Sequence, residues 1–201
     1  KAIKVSGTIG IIADAAGRYS QFPQCLTQLR LQVNTTIDWA IGSDRSVGRN
    51  TIVGRALERG AEWGLFIEED QTFRPDLLKL LVAADQPVVG ALCLQRTAPF
   101  MPLVYADKDD KGYWPLDLRG HGGNELIRVR ACGSGGMLVR TEVFREINEQ
   151  WFVHTTEQSE DMHFCDLLHK HDIPLYCHTG ARLGHIAPAG EKTTDLAPPA
   201  S

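Results

Sequence analysis

No apolar run in this chain reaches the roughly 20 residues that a membrane-spanning helix requires. No secretory leader of basic, apolar and small residues is visible either, so the expectation is a soluble, cytoplasmic protein. Cysteines at metal or redox spacing are missing: Cys25, Cys93, Cys132, Cys165 and Cys177 are odd in number and include no CxxC pair. That argues against a disulfide framework or zinc ribbon and for buried thiols in a reducing compartment. A basic excess is also missing. The net charge is -4, which offers no global electrostatic case for a nucleic-acid partner. A local basic groove stays open, because net charge sums over the whole surface. Neither the Rossmann nor the Walker glycine pattern occurs, and no internal repeat is found.

What is present is ordinary globular composition: 43% hydrophobic and 23% charged residues, with 19 Gly and 10 Pro in 201 residues. That length suits one domain with a core large enough to need no staple. Apolar segments alternate in kind along it. Thr8 to Ala13 reads as a short buried strand. Phe22, Cys25, Leu26, Leu29 and Val33 form one stripe of a helix. Thr36 to Ile41 is a second strand. Ser46 to Arg59 is a helix with Val47, Ile52, Val53, Ala56 and Leu57 available for burial, stopped by Gly60. Trp63 to Ile67 is a third strand. Pro75 opens a helix through Ala84, and Pro87 to Cys93 is a fourth strand.

This β-α-β-α-β-α-β order predicts an α/β fold with a largely parallel sheet flanked by helices. Residues 95 to 123, rich in Pro, Gly and charge, read as a long loop or hairpin carrying binding groups. Two more strands, Glu125 to Ala131 and Met137 to Arg140, flank a glycine-rich bend. Ser159 caps a helix running to about His171, and Leu175 to Cys177 is a last strand. The core is expected to span 1–186, with 187–201 an Ala/Pro-rich tail.

Five groups of residues carry possible chemistry. Glu68, Glu69 and Asp70 follow an apolar strand directly, at the sheet edge where open α/β folds bind ligands. Alternation along an extended chain aims Glu68 and Asp70 the same way. Two hard carboxylates suit Mg²⁺ or Mn²⁺; a solvated acidic loop has the same composition. Arg45 with Arg49 and Asn50 opens a helix, where backbone N–H groups and a guanidinium favour a phosphate. A surface pairing with a neighbouring acid such as Asp44 accounts for the arginine without any ligand. Cys132 to Gly136 (CGSGG) permits close ligand approach or simply makes a tight turn. Ser159, Glu160 and Asp161 place carboxylates at a helix start, which keeps them ionised and able to accept a proton. Helix stabilisation alone accounts for them too. His185 ends the core, where it is either a third metal ligand or a structural histidine. His163, His169 and His171 are not spaced as a zinc site.

Taken in order, these segments resemble GT-A glycosyltransferases, especially the family-2-like enzymes of bacteria and phages. RNTIVGRALERGAEWGLFIEEDQTFRPDLLKLL looks like their Arg-Asn helix and the strand that ends in an Asp-X-Asp motif. PVVGALCLQRTAPFMPLVY looks like the next strand and acceptor-side loop. CGSGGMLVRTEVFREI looks like the sugar-pocket bend, strand and helix. SEDMHFCDLLHKHDIPLYCHTGARLGHI looks like the catalytic Glu-Asp motif, its helix, a strand and a late metal-binding histidine. The resemblance covers roughly residues 8 to 186.

It implies a single GT-A domain that moves a sugar from a nucleotide-sugar donor, foremost a UDP-sugar, with Mn²⁺ or Mg²⁺ as cofactor. Asp70 and His185 would hold the metal with Glu68, which departs from the family's usual Asp. Ala13 and Asp14 would grip the nucleotide. Arg45, Arg49, Asn50, Glu68 and Glu69 would contact the donor, with Gly135 and Gly136 lining the sugar pocket. Asp161 would be the general base of an inverting reaction, and Glu160 would orient it or bind acceptor. The acceptor is open among a glycan, a small molecule and a modified DNA base, for which Arg96, Arg119, Arg128 and Arg130 could line a groove. A nucleotidyltransferase or nucleotide-sugar hydrolase is the alternative enzyme. A catalytically inactive nucleotide-sugar-binding module is the alternative without turnover, and Glu68 is the feature that favours it.

Overall fold

The computed structural model describes residues 6–15, 19–121 and 123–186. Its order begins β1 (Gly7–Ala13), α1 (Gln21–Gln28), β2 (Thr35–Ile41), α2 (Arg45–Glu58), β3 (Trp63–Glu68), β4 (Gln71–Phe73), α3 (Leu77–Ala83) and β5 (Val88–Cys93). It continues with β6 (Val104–Asp109), β7 (Gly112–Pro115), β8 (Leu126–Val129), β9 (Ala131–Cys132), β10 (Met137–Arg140), α4 (Thr141–Glu146), α5 (Glu160–Lys170) and β11 (Leu175–His185). The expected Ala/Pro-rich tail, 187–201, lies outside the described residues.

The strands β1, β3 and β5 are almost wholly apolar because both faces of the sheet are covered. One apolar layer gathers Ile52 and Val53 of α2 with Phe66, Val139, Phe144, Phe152 and Phe164. The other gathers Phe22, Leu77, Leu78 and Leu81 against Ile9, Ile11, Leu65 and Val89. Burial of each such side chain contributes about 1.5–3 kcal/mol.

The main sheet runs β2-β1-β3-β10-β5-β11-β4, and β8 pairs with β11 off that path. β1 lies parallel to β2 and β3, and β5 parallel to β11. β10 enters antiparallel between β3 and β5. β4 and β8 also run antiparallel to β11, so the sheet is mixed: parallel on its β2-β1-β3 side and interrupted by β10. The expected loop region after β5 is partly regular. β6 and β7 form a hairpin, and β9 joins them in a three-stranded sheet.

Three elements differ from their sequence reading. The first helix stops at Gln28: Leu29 turns extended with ψ 124, and the Arg30 N–H donates to Pro75 O at 2.9 Å. Val33 is consequently 82% exposed. Val47 of α2 faces solvent, whereas Ile52, Val53 and Ala56 are buried as expected. The last strand runs to His185 rather than Cys177, because a bulge between His178 and Arg182 lets it continue along β5. Its end then pairs with β4, His185 opposite Gln71. Gly60 stops α2 as expected, with φ +67.

Candidate functional site

The carboxyl ends of β1, β2, β3 and β5 open on one edge of the sheet, and two adjoining cavities lie there. The first, about 450 Å³, is lined by Ala13, Asp14, Tyr19, Gly42, Ser43 and Glu69, among others. The second, about 250 Å³, is lined by Gln71, Cys93, Gly133, Ser134, Gly135, Ser159, Glu160, Asp161 and His185, among others. Arg45, Glu68, Asp70 and Arg96 line both. Five connecting segments and two helix starts, distant in sequence, therefore line the two cavities around one wall of alternating charge.

The wall is built from ion pairs. Arg49, on the inner face of α2, is 1% exposed. Its Nη1 donates to Glu160 Oε1 at 2.5 Å, and its Nη2 donates to Glu68 Oε1. One guanidinium thus ties the end of β3 to the start of α5, with Phe152 beneath it at 5.9 Å. Arg45 reaches Glu68 Oε2 at 3.7 Å and is itself 60% exposed. Arg96 donates to Asp70 Oδ2. Asp44 caps α2 by accepting from the Ser46 N–H at 2.8 Å; it is not the partner of Arg45.

Burial alone would push the Glu68 carboxyl up. The charges of Arg49 and Arg45 outweigh that and hold it below the ordinary value. Asp70 goes the other way: burial, then the Glu68 charge, raise it in spite of His185 and Arg96. The Glu68 charge is also the main reason the Arg45 guanidinium is shifted up. Burial, reinforced by Glu68 and Asp70, pushes the Cys93 thiol up to about 12, so it stays neutral.

Asn50 braces the scaffold. Its Nδ2 donates to Phe152 O at 2.8 Å, and its Oδ1 accepts from the Phe152 N–H at 3.2 Å. Arg49 and Asn50, expected against the donor, are thus both engaged by protein groups. Glu69 turns back from the cavity floor and accepts the Asp14 N–H at 2.7 Å. Gly135 lies against Gln71: a Cβ there would overlap the Gln71 amide, whose Oε1 accepts the Glu68 N–H at 3.0 Å. Gly136, at φ +84, is the turn residue just before β10, and its N–H donates to Phe66 O at 2.7 Å. Asp161, in the first turn of α5, accepts from the Met162 N–H at 2.9 Å and from the Ser159 hydroxyl through Oδ1. Its Oδ2 lies toward Gly133.

The expected metal set of Glu68, Asp70 and His185 does not assemble. Among the described residues, no three His, Cys, Asp or Glu side chains are placed to hold a metal ion. Both Glu68 oxygens and one Asp70 oxygen face arginines, and His185 Nδ1 lies 2.7 Å from Leu94 O. Asp70 Oδ1 and Ser134 Oγ are buried without a hydrogen-bond partner. A resident divalent cation needs several converging oxygens, and a guanidinium at each carboxylate does not fit that requirement.

Sequence reasoning missed Tyr19, Ser43 and Gln71, held Ser134 only as part of the glycine-rich bend, and read Arg96 only as one of four groove arginines. Those four do not share a groove. Arg96 lies in the charged wall. Arg128 and Arg130 line a separate cavity, where Arg130 pairs with Asp166 at 2.5 Å. Arg119 pairs with its neighbour Asp117 at 2.7 Å.

No family model matches the chain, and no curated protein matches it in sequence. Solved structures do match. The crystal structure of A197 from STIV agrees with a TM-score of 0.64 at 16% identity, over 90% of this chain and 86% of that one. GalNAc-T7, solved with UDP, GalNAc and Mn²⁺, agrees at 0.61 and 10% identity, over 92% of this chain and 44% of its own. Residues 1–349 of S. aureus TarS, in complex with UDP-GlcNAc, agree at 0.54 and 11% identity, over 94% of this chain and 61% of their own. The chain thus spans less than half of GalNAc-T7 and about three fifths of that TarS structure. At these identities the likeness establishes the fold: a GT-A arrangement of helices on a mixed sheet. No helix among the described residues is long and apolar enough to cross a membrane.

Proposed function

We propose that this chain is a glycosyltransferase, which moves a sugar from a nucleoside-diphosphate sugar to an acceptor hydroxyl with inversion at the anomeric carbon. The observation that carries the reading is the pair of cavities joined at one charged wall. The nucleoside fits the first, beside Ala13, Asp14 and Tyr19. The sugar fits the second, beside Ser134, Gly135 and Asp161. The diphosphate then crosses between them. Uridine donors are the first to try, because the GalNAc-T7 and TarS structures hold UDP and UDP-GlcNAc.

Asp161 is the general base. Its Oδ1 is held by the Ser159 hydroxyl and the Met162 N–H, which leaves Oδ2 to take the proton of the acceptor hydroxyl. As that proton moves, the acceptor oxygen bonds to the anomeric carbon. The bond from that carbon to the phosphate oxygen breaks, and the nucleoside diphosphate leaves with the electron pair. Glu160 does not compete for the proton, because Arg49 engages it; it positions the start of α5. The whole domain, 1–186 with any tail, serves one active site in this reading.

Incubating the protein with a panel of nucleotide-sugars and hydroxyl acceptors tests it. Release of nucleoside diphosphate with an inverted glycoside product, read by NMR, is expected. D161N should lower kcat by about 10²–10⁴-fold with donor affinity unchanged. A product of retained configuration overturns the inverting step. The arginines already on Glu68 and Asp70 favour one other reading, a nucleotide-sugar-binding module without turnover. It predicts donor binding and no nucleoside diphosphate release with any acceptor.

A further inference from the structure

The two cavities meet at four side chains, Arg45, Glu68, Asp70 and Arg96. A ligand with a nucleoside in one cavity and a sugar in the other must place its phosphates against those four. Two are carboxylates, which repel phosphate unless something neutralises them. In this chain arginines do so. Glu68 is held between Arg49 and Arg45, and Asp70 is held by Arg96. Arg49 is sealed in the core, 1% exposed, with both terminal nitrogens engaged. It cannot reach a ligand. Arg45 and Arg96 are 60% and 34% exposed.

We infer that Arg96 takes the position of a divalent cation on Asp70, and that Arg96 and Arg45 together bind the diphosphate without a metal. The inference rests on the nucleotide-sugar reading above.

A guanidinium offers five N–H donors in a rigid fork. Among the described residues, Arg96 commits only Nη2, to Asp70 Oδ2. Nη1 and Nε remain to donate to phosphate oxygens in charge-assisted hydrogen bonds. Asp70 then orients the guanidinium as it would otherwise orient a cation. The backbone supports this role. Arg96 rides on a short loop pinned at its base by Leu103 N–H to Cys93 O at 2.8 Å and Gln95 N–H to Met101 O at 2.8 Å. Leu94 and Pro102 bridge antiparallel across the same base. The side chain is thus presented from a braced hairpin.

The first measurement is calorimetric binding of UDP and GDP to the full chain, in EDTA and then in Mn²⁺. Wild-type affinity for the nucleotide that binds is expected to agree within about threefold between the two buffers. R96Q should weaken binding in EDTA by about tenfold or more, and R96K should weaken it less, since lysine keeps the charge but not the planar fork. The second measurement uses no nucleotide: the EPR signal of free Mn²⁺ during titration with protein alone. Wild type is expected to leave that signal undiminished, because Arg96 already holds Asp70 and Arg45 and Arg49 hold Glu68.

The proposal is overturned if wild type alone takes up one equivalent of Mn²⁺, if nucleotide binding disappears in EDTA, or if R96Q binds as wild type does. Failure of both nucleotides in both buffers sinks the donor reading instead. The Mn²⁺ titration then still decides between Arg96 and a metal.

Discussion

At the scale of single residues, Arg49 bears the greatest electrostatic load. It is almost fully buried and bridges two carboxylates that begin and end different elements. Removing it takes the arginine from Glu160 and leaves Glu68 with Arg45 alone, at 3.7 Å, and breaking a buried pair in this way costs about 3–5 kcal/mol. R49M is therefore expected to lose that much stability in urea denaturation, and R49M with E68Q and E160Q to recover a large part of it. Full stability in R49M alone would show that the pairs do not form. The sequence offered Arg49 only as a helix-start arginine able to meet a phosphate. It could not reveal the partner, because Glu160 lies 111 residues away and pairing at that range is set by the packing of α2 against β3 and α5. Arg96 was legible only as one of four arginines that could line a groove.

At the scale of elements, the long apolar strands and α2 followed their sequence patterns closely, because a continuous apolar run or a period of 3.6 needs only local information. The short strands did not. β4 has three residues and exists through pairing with β11, more than a hundred positions later. The bulge that carries β11 on to His185 has the same origin. Between elements, Asn50 makes the decisive join: its amide pairs with both backbone groups of Phe152 and so holds the segment leading into α5. N50A should lower stability by about 1–3 kcal/mol. It should also speed amide exchange around Phe152 more than in β1 or β3; equal protection throughout would mean the segment is held by its aromatic packing alone.

At the scale of the whole molecule, acid links remote parts of the fold. Burial by itself would raise the Asp166 carboxyl. Hydrogen bonds from Lys108, Gln158, Tyr113 and Arg130 outweigh that and hold it well below the ordinary range. Glu68 is depressed likewise by Arg49 and Arg45. A carboxylate depressed in the folded state stabilises it at pH above its unfolded value, and that contribution fades as pH falls toward the folded value. The window is therefore below about pH 4, the ordinary carboxyl range. D166N should be less stable than wild type at pH 7, with the gap narrowing as pH drops from 4 toward 2 in denaturant titrations. A gap independent of pH would show that Asp166 is not held ionised by its partners.

Local chemistry alone settled the α/β class, the placing of Glu68 to Asp70 at a strand end, and Asp161 at a helix start. Each is written in short-range apolar periodicity and in a few adjacent polar residues. The antiparallel insertion of β10, the meeting of two cavities at one wall, and the choice of arginine as partner to each acid came only from tertiary structure. Those depend on which distant segments pack together, and on which charge then lies nearest in a site where burial makes an unpaired carboxylate costly.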